Sequence, residues 1–380
     1  MLKTLSVCAF AAASASAQSG PPATPQIVAR AIAATPVNRR LRSNAPASRR
    51  AGSMMLACLA LAVHPSVSAA QTLAEGIRLN QVGFLPLAPK VAVVVGDTPS
   101  EFSVVTWPEG VVVLRAQLSA PVMWPLSGEV ARRADFSGVV RPGSYALVVP
   151  GAGTSYPFQI GASVVKEIAL GATKAFYYQR SGIALPAEFA GRWARAEGHP
   201  DTVVIVHPSA ASAARPAGTR ISAPRGWYDA GDYNKYVVNS GITTYTLLLL
   251  AEQFPRYADA LSTNIPETGN ELPDVFNEAL WNIRWMLAMQ DPFDGGVYHK
   301  LTNASFDGFI LPEKANSTRF VVQKSTAATL DFAAVMAHAT TLAARYSRQL
   351  PGFADSLTHA ALAAWGWARA HPDSIYDQQR

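Results

Sequence analysis

Two carboxylates three residues apart, Asp229 and Asp232, stand in the run Gly226-Trp-Tyr-Asp-Ala-Gly-Asp-Tyr-Asn-Lys235, with Gly231 between them and Trp227, Tyr228 and Tyr233 around them. Glycine lets a chain turn sharply, so both acids can project from one side of a loop. Acids placed in this way can hold a water and move its proton. Aromatic rings stack on the apolar faces of pyranoses. The combination is what hydrolysis of a sugar polymer requires. The competing account is an Asx-type turn that caps the following helix, a position that also favours Asp and Asn.

The elements that must carry this loop fall into two parts. Residues 75–160 read as all-β. Apolar runs Ile77–Val82, Lys90–Val95, Phe102–Thr106, Val111–Leu114, Ala131–Phe136, Tyr145–Val149 and Tyr156–Ile160 are separated by Pro and Gly. Seven short strands at this spacing predict a β-sandwich of immunoglobulin type, without a Cys–Trp–Cys framework. From residue 161 to 380 the period becomes helical, predicting helices at about 164–181, 235–253, 272–290, 324–347 and 354–370. Pro255, Pro273 and Pro351 mark helix starts or ends. Runs such as Ala327-Ala328 and Ala333-Ala334 make helices apolar on more than one side, which is the signature of helices buried between neighbours. The Pro/Ala/Gly/Ser-rich segment 183–226 is long for a simple connection and reads as an active-site wall.

The chain of 380 residues is long enough for two cores, and its net charge of +6 is misleading. Residues 1–70 hold seven basic and no acidic side chains, whereas the remaining 310 carry 25 basic and 26 acidic. The folded part is therefore near neutral and offers no argument for nucleic-acid binding. Residues 1–70 read as a leader. Lys3 precedes the apolar run Leu5–Ala13, and Arg49-Arg50 precedes Met54–Val63 with Ser68-Ala69-Ala70 as the cleavage site. The second run is too short to span a bilayer and is the better export signal, implying a secreted or periplasmic protein. Both cysteines, Cys8 and Cys58, lie in this leader, so a processed chain would have no thiol, no disulfide and no thiolate metal site. No later apolar stretch reads as transmembrane, and the expected state is a monomer away from membranes.

At Trp227–Lys235 the sequence resembles glycoside hydrolase family 9, whose cellulases have an (α/α)6 barrel. Ile77-Arg-Leu-Asn-Gln-Val-Gly-Phe84 is similar to the opening of the immunoglobulin-like module that precedes many such barrels. Phe176–Gly182, Leu272–Asp291 and Gly295–Lys300 are similar, in order, to the end of its first helix, its third helix and a cleft loop. The resemblance implies an all-β immunoglobulin-like sandwich followed by about the first half of an all-α (α/α)6 toroid. It implies hydrolysis of β-1,4 links in cellulose-like β-glucans with inversion. Asp232 would be the general base and Asp229 its helper. His299 would bind sugar hydroxyls, and Trp227, Tyr228 and Tyr233 would form stacking surfaces. Inversion separates acid from base by roughly 6.5–9.5 Å, so two acids three residues apart sit together on the water side. A non-catalytic carbohydrate-binding or scaffolding protein is the alternative.

Two features depart from the family pattern. The general acid, a Glu near the C-terminus of family members, has no counterpart after residue 300, and only five of twelve helices are expected. The 380 residues are therefore expected to be inactive alone. Glu313, in Leu311-Pro-Glu-Lys314, reads as a solvated loop acid, with a stand-in role as the acid as the alternative. Some relatives hold a structural zinc with two Cys and two His. The matching Cys positions are Ser181 and Gly198, which leave His199 and His207 and predict no zinc. The resemblance implies a possible structural calcium and no cofactor for the chemistry. Trp281, Trp285, Trp365 and Trp367 read as core.

Overall fold

Val91 and Val93 face outward while Ala92 and Val94 between them are fully buried, the two-residue period of a strand that covers a core with one face. In the computed structural model of the chain, which describes residues 73–378, this is β2 (Val91–Val95). It is one of nine short strands, with β1 (Ile77–Arg78), β3 (Glu101–Thr106), β4 (Val112–Gln117), β5 (Val122–Trp124), β6 (Glu129–Asp135), β7 (Gly143–Val149), β8 (Gly153–Thr154) and β9 (Phe158–Ile160). They form two antiparallel sheets, β1-β2-β6-β5 and β4-β3-β7-β8, with β9 also paired to β7. Both inner faces contribute to one core, centred on Phe84, Phe136 and Phe158, whose rings lie 5.2–5.4 Å apart. This is the expected sandwich. The sequence pattern gave no sign of β5 and β8. All three residues of β5 are exposed, so it carries no alternation, and β8 has only two residues. The leader, its export signals and both cysteines lie outside the described residues.

The second part is helical, with one small sheet. Its helices are α1 (Lys166–Tyr178), α2 (Ala187–Ala190), α3 (Val237–Gln253), α4 (Pro255–Ala260), α5 (Asp274–Ala288), α6 (Thr326–Arg345) and α7 (Phe353–Ala370). The five long ones are those the periodicity predicts. Pro255 opens α4, Pro273 precedes α5, and Pro351 lies between α6 and α7. Helix α5 is buried along almost its whole length, with Trp285 and Met286 fully enclosed. Truncating Trp285 would cost about 3–5 kcal/mol. Ser325 caps α6 by accepting the Ala328 N–H at 3.2 Å. Trp281, Trp285 and Trp367 are core as expected, but Trp365 is 52% exposed, because residues two apart on a helix face opposite ways. Other apolar side chains left exposed on the helices include Ile168 on α1, Ile242, Tyr245 and Leu249 on α3, Tyr257 on α4, Leu330 on α6 and Leu362 on α7. Helix α6 is long and apolar enough to cross a membrane, contrary to the sequence reading that no such stretch exists. Half of it is buried against its neighbours, as in a core helix.

The long segment 183–226 is structured. It supplies β10 (Val204–Val206) and β11 (Arg220–Ile221) to a five-stranded sheet completed by β12 (Lys235–Tyr236), β13 (Lys300–Asn303) and β14 (Arg319–Val321), in the order β11-β10-β14-β13-β12. This sheet positions the carboxylate loop. β12 follows Asp232 directly and leads into α3, and the Val237 N–H donates to the His299 carbonyl at 3.1 Å.

Candidate active site

The loop starts at a close backbone approach. Gly226 has φ +79°, and a Cβ there would lie 2.7 Å from Cγ of Trp285. Only glycine accepts both constraints. The Gly226 carbonyl takes the indole N–H of Trp281 at 3.1 Å, which anchors the loop to α5. Six residues later Asp232 is held by three donors. The Asn234 N–H reaches Oδ1 at 3.2 Å, and the Asn234 amide and the Tyr236 hydroxyl reach Oδ2 at 3.1 and 3.3 Å. Asp229 is exposed, and its Oδ1 accepts from Nδ2 of Asn239 at 2.9 Å. The Asp229 N–H is bonded to the Asn234 carbonyl at 2.9 Å, which folds the loop back on itself. Both acids thus emerge from one turn, each carboxylate fixed by a different amide.

A second ring of charges braces the turn from below. Asp201, 4% exposed, pairs with Nζ of Lys235 at 2.8 Å and with Nε of Arg319 at 3.2 Å. Arg319 in turn donates to the Tyr233 carbonyl at 2.9 Å and to Oδ1 of Asn234 at 3.5 Å. Tyr233 has φ +57°, a conformation uncommon outside glycine, and the guanidinium on its carbonyl helps to hold it there. Burial pushes the Lys235 ammonium down to about 8 despite Asp201 beside it. A further buried pair, Arg180 with Glu278 at 3.0 Å, takes the Trp227 indole N–H on Oε1 of Glu278 at 2.8 Å.

The aromatic rings do not lie as the stacking expectation requires. Trp227 is 4% exposed, packs on Phe176 and lines, with Asp229, a cavity of about 170 Å³. Tyr228 is 5% exposed. Its hydroxyl donates to the Gly198 carbonyl at 2.9 Å, so Nδ1 of His199, 3.0 Å away, must be the donor to it. Neither ring presents an open face to a pyranose. Tyr233 is half-buried, lies against the Tyr228 and His199 rings, and donates its hydroxyl to the Ile310 carbonyl. All three aromatics shape the loop rather than offering free platforms.

His299 lies at the start of β13. Its Nδ1 is 2.8 Å from the Ser325 hydroxyl, which already accepts the Ala328 N–H. That hydroxyl can donate to Nδ1 or take a second hydrogen bond from it, so the contact orients the ring and leaves both neutral tautomers open to it. Burial, reinforced by Lys300, pulls the imidazole down to about 4, so it is neutral near pH 7. Its ring stacks on Tyr376 at 4.0 Å.

Asn239 and Tyr236, which hold Asp229 and Asp232, were not anticipated. A signal was present: Tyr236, Asn239, Ser240 and Thr243 follow the i, i+3, i+4, i+7 spacing of one helical face, and all four line the cavity with Asp229. Glu313 is not a solvated loop acid, since its Oε2 is buried without a hydrogen-bond partner. Nor do the residues matching the zinc positions fit zinc. The Ser181 hydroxyl donates to the His199 carbonyl at 3.0 Å, Nδ1 of His199 is engaged by Tyr228, and Nδ1 of His207 is engaged by Ser209 at 2.9 Å. Among the described residues no group of three or more His, Cys, Asp or Glu side chains is arranged to hold a metal.

Comparison with known proteins shows the family and the fold. Residues 166–380 match the family described as glycosyl hydrolase family 9, and residues 73–154 match the cellulase N-terminal ig-like domain. A xyloglucan-specific endo-beta-1,4-glucanase of Bacteroides ovatus is 45% identical over 328 residues, 85% of this chain and 54% of that protein. Endoglucanase D of Acetivibrio thermocellus is 34% identical over 307 residues, 80% of this chain and 47% of the relative. Among solved structures, a Bacteroides ovatus family 9 protein superposes with a TM-score of 0.76 at 45% identity, covering 80% of this chain and 55% of the other. A metagenome-derived family 9 endoglucanase superposes with a TM-score of 0.71 at 33% identity, covering 79% and 55%. The chain spans about half the length of these relatives, and its helices are those of the first half of their (α/α)6 fold. On the family match and the shared fold together, the chain belongs to glycosyl hydrolase family 9 and carries that family's immunoglobulin-like domain ahead of its helices.

Proposed function

We propose that the chain carries the water-activating half of an inverting endo-β-1,4-glucanase that is exported and acts as a monomer on cellulose-like β-glucans. The observation that carries this reading is the pair of carboxylates on one turn, each fixed by its own amide donor. A water held between Asp229 and Asp232 attacks the anomeric carbon. Its proton passes to Asp232, the glycosidic C–O bond breaks on the opposite face, and the leaving oxygen takes a proton from a general acid. Asp229, tied to Asn239, orients that water. His299 hydrogen-bonds a sugar hydroxyl. No described residue is assigned as the acid, so the 380 residues by themselves are proposed to hydrolyse no β-glucan. No metal or organic cofactor enters the reaction.

The test compares reducing-sugar release from xyloglucan, mixed-linkage glucan and carboxymethylcellulose. Xyloglucan is included because a 45% identical relative is specific for it. Release by the 380 residues alone would overturn the proposed inactivity. In a protein extended to the length of its relatives, Asp232→Asn should abolish turnover and leave glucan binding intact. Unchanged turnover would overturn the role of Asp232, and an α-configured first product is the expected mark of inversion.

A further inference from the structure

Arg284 is the one exposed residue on α5, whose other residues are buried or half-buried. It lines a cavity of about 350 Å³ together with Arg225, Glu267, Asn270, Trp281 and Gln349, none of which borders the cavity beside Asp229. Two guanidiniums thus share one cavity. Among the described residues neither makes a hydrogen bond or an ion pair through its side chain. Arg225 lies against the Trp281 ring, its Cζ 4.7 Å from the ring centre. Burial, and after it the charge of Arg284, pulls the Arg225 guanidinium below its ordinary value, so the two cations feel each other. The acids nearby are committed elsewhere. Glu267 gives Oε1 to Arg180 at 2.9 Å, and its other oxygen is buried. Glu271 takes Arg348 at 3.0 Å and the Gln349 amide at 2.8 Å. Two like charges with no carboxylate of their own repel, and an anion placed with them turns that repulsion into attraction.

We propose that this cavity is a binding site for a small oxyanion, a phosphate or carboxylate group gripped by Arg225 and Arg284 beside the Trp281 ring. A guanidinium presents a planar fork of donors that matches the oxygens of either group, and a stacked guanidinium is already oriented. The cavity has the volume of a small-molecule site rather than of a groove for a polymer. It lies behind the carboxylate turn and is joined to it through the backbone. The Arg225 carbonyl takes Nζ of Lys235 at 2.6 Å, and the next carbonyl, that of Gly226, takes the Trp281 indole N–H at 3.1 Å. An anion bridging Arg225 and Arg284 adds a second tie between the start of the turn and α5. Its effect is to stabilise that anchor. It takes no part in bond cleavage, so the site stands or falls independently of the role of Asp232.

The test titrates inorganic phosphate and, separately, glucuronate into the 380-residue chain by calorimetry, with ionic strength held constant by sodium chloride. One saturable site is expected, and thermal melts should rise with the anion that fills it. Binding of phosphate alone identifies a phosphate-type ligand, binding of glucuronate alone a carboxylate, and binding of both the shared oxyanion chemistry. Arg284→Gln should weaken Kd about tenfold, the scale of losing one charge-assisted hydrogen bond. Arg225→Gln should do the same. Should that variant fail to fold, because it adjoins Gly226, the exposed Arg284 still decides the matter. Arg256→Gln is the control, since Arg256 is exposed on α4 and does not line the cavity; it should bind like wild type. Absence of a saturable site for both anions would overturn the proposal. So would undiminished binding in Arg284→Gln, or an equal loss in Arg256→Gln, which would mark a general response to surface charge.

Discussion

Asp201→Asn tests whether the buried charge cluster holds the carboxylate turn. Asp201 has φ +47°, a conformation that Asn tolerates as well as Asp, so the backbone is preserved while the charge is removed. Two cations lose their partner, and they respond differently. Lys235 has an ammonium at about 8 in the fold against 10.5 ordinarily. At pH 7 its protonated, paired form is favoured by about 1.4 kcal/mol over the neutral one, and that amount is the most the Lys235 pair can lose before the amine sheds its proton. Arg319 cannot shed a proton. Breaking a buried pair costs about 3–5 kcal/mol, here reduced because Arg319 keeps the Tyr233 carbonyl at 2.9 Å. The expected total is about 3 kcal/mol at pH 7. The pH dependence has a fixed sign. Burial lowers the Lys235 value, so its cost to the fold is complete below about 8 and is relieved as pH rises from there towards 10.5, where only the unfolded chain still binds the proton. At pH 9 the wild-type amine is already neutral, and the Asp201→Asn loss should shrink by about 1 kcal/mol. Urea unfolding followed by tryptophan fluorescence at the two pH values measures both quantities. A loss below about 1 kcal/mol at pH 7, or the same loss at both pH values, would refute the argument.

Three further outcomes follow from the geometry. His199 and His299 are both pulled down to about 4 by burial. The unfolded chain therefore takes up protons that the fold refuses, and stability should fall as pH drops from about 6.5 to about 4. His299→Asn should flatten that acid limb, and an unchanged limb would contradict the assignment. Asp331 has an Oδ2 buried without a partner, and burial raises its carboxyl to about 7. The resulting cost is complete above pH 7 and relieved towards 3.8. Asp331→Asn should therefore stabilise the chain at pH 8 by about 1–4 kcal/mol and have little effect at pH 4, as read by thermal melts. Gly295 has φ +82°, and a Cβ there would lie 2.8 Å from the Ala363 carbonyl oxygen. Gly295→Ala should cost about 2–4 kcal/mol from the left-handed backbone and the overpacking together, and a chevron or urea curve that leaves the midpoint unmoved would exclude the close approach.

The sequence by itself determined the two parts, the five long helices and the Asp229/Asp232 turn. Each of these is written in local signals: two-residue alternation in Val91–Val95, helical periodicity in Asp274–Ala288, and a glycine between two acids. The strands without alternation escaped it, as did the aromatic orientations. Trp227 and Tyr228 sit in the motif, yet Glu278 and Gly198, 51 and 30 residues away, decide that their polar ends turn inward. The same holds for charge. Nothing near Asp232 in sequence indicates that Asp201 and Arg319, 118 residues apart, close beneath it, or that Ser325 hydrogen-bonds His299. Propensity and period act over a few residues, whereas the partner of a buried polar group is chosen by whichever distant side chain the packed core brings within hydrogen-bond reach. The turn that carries Asp229 and Asp232 was therefore legible in the chain, and the fold alone decided which distant side chains hold it.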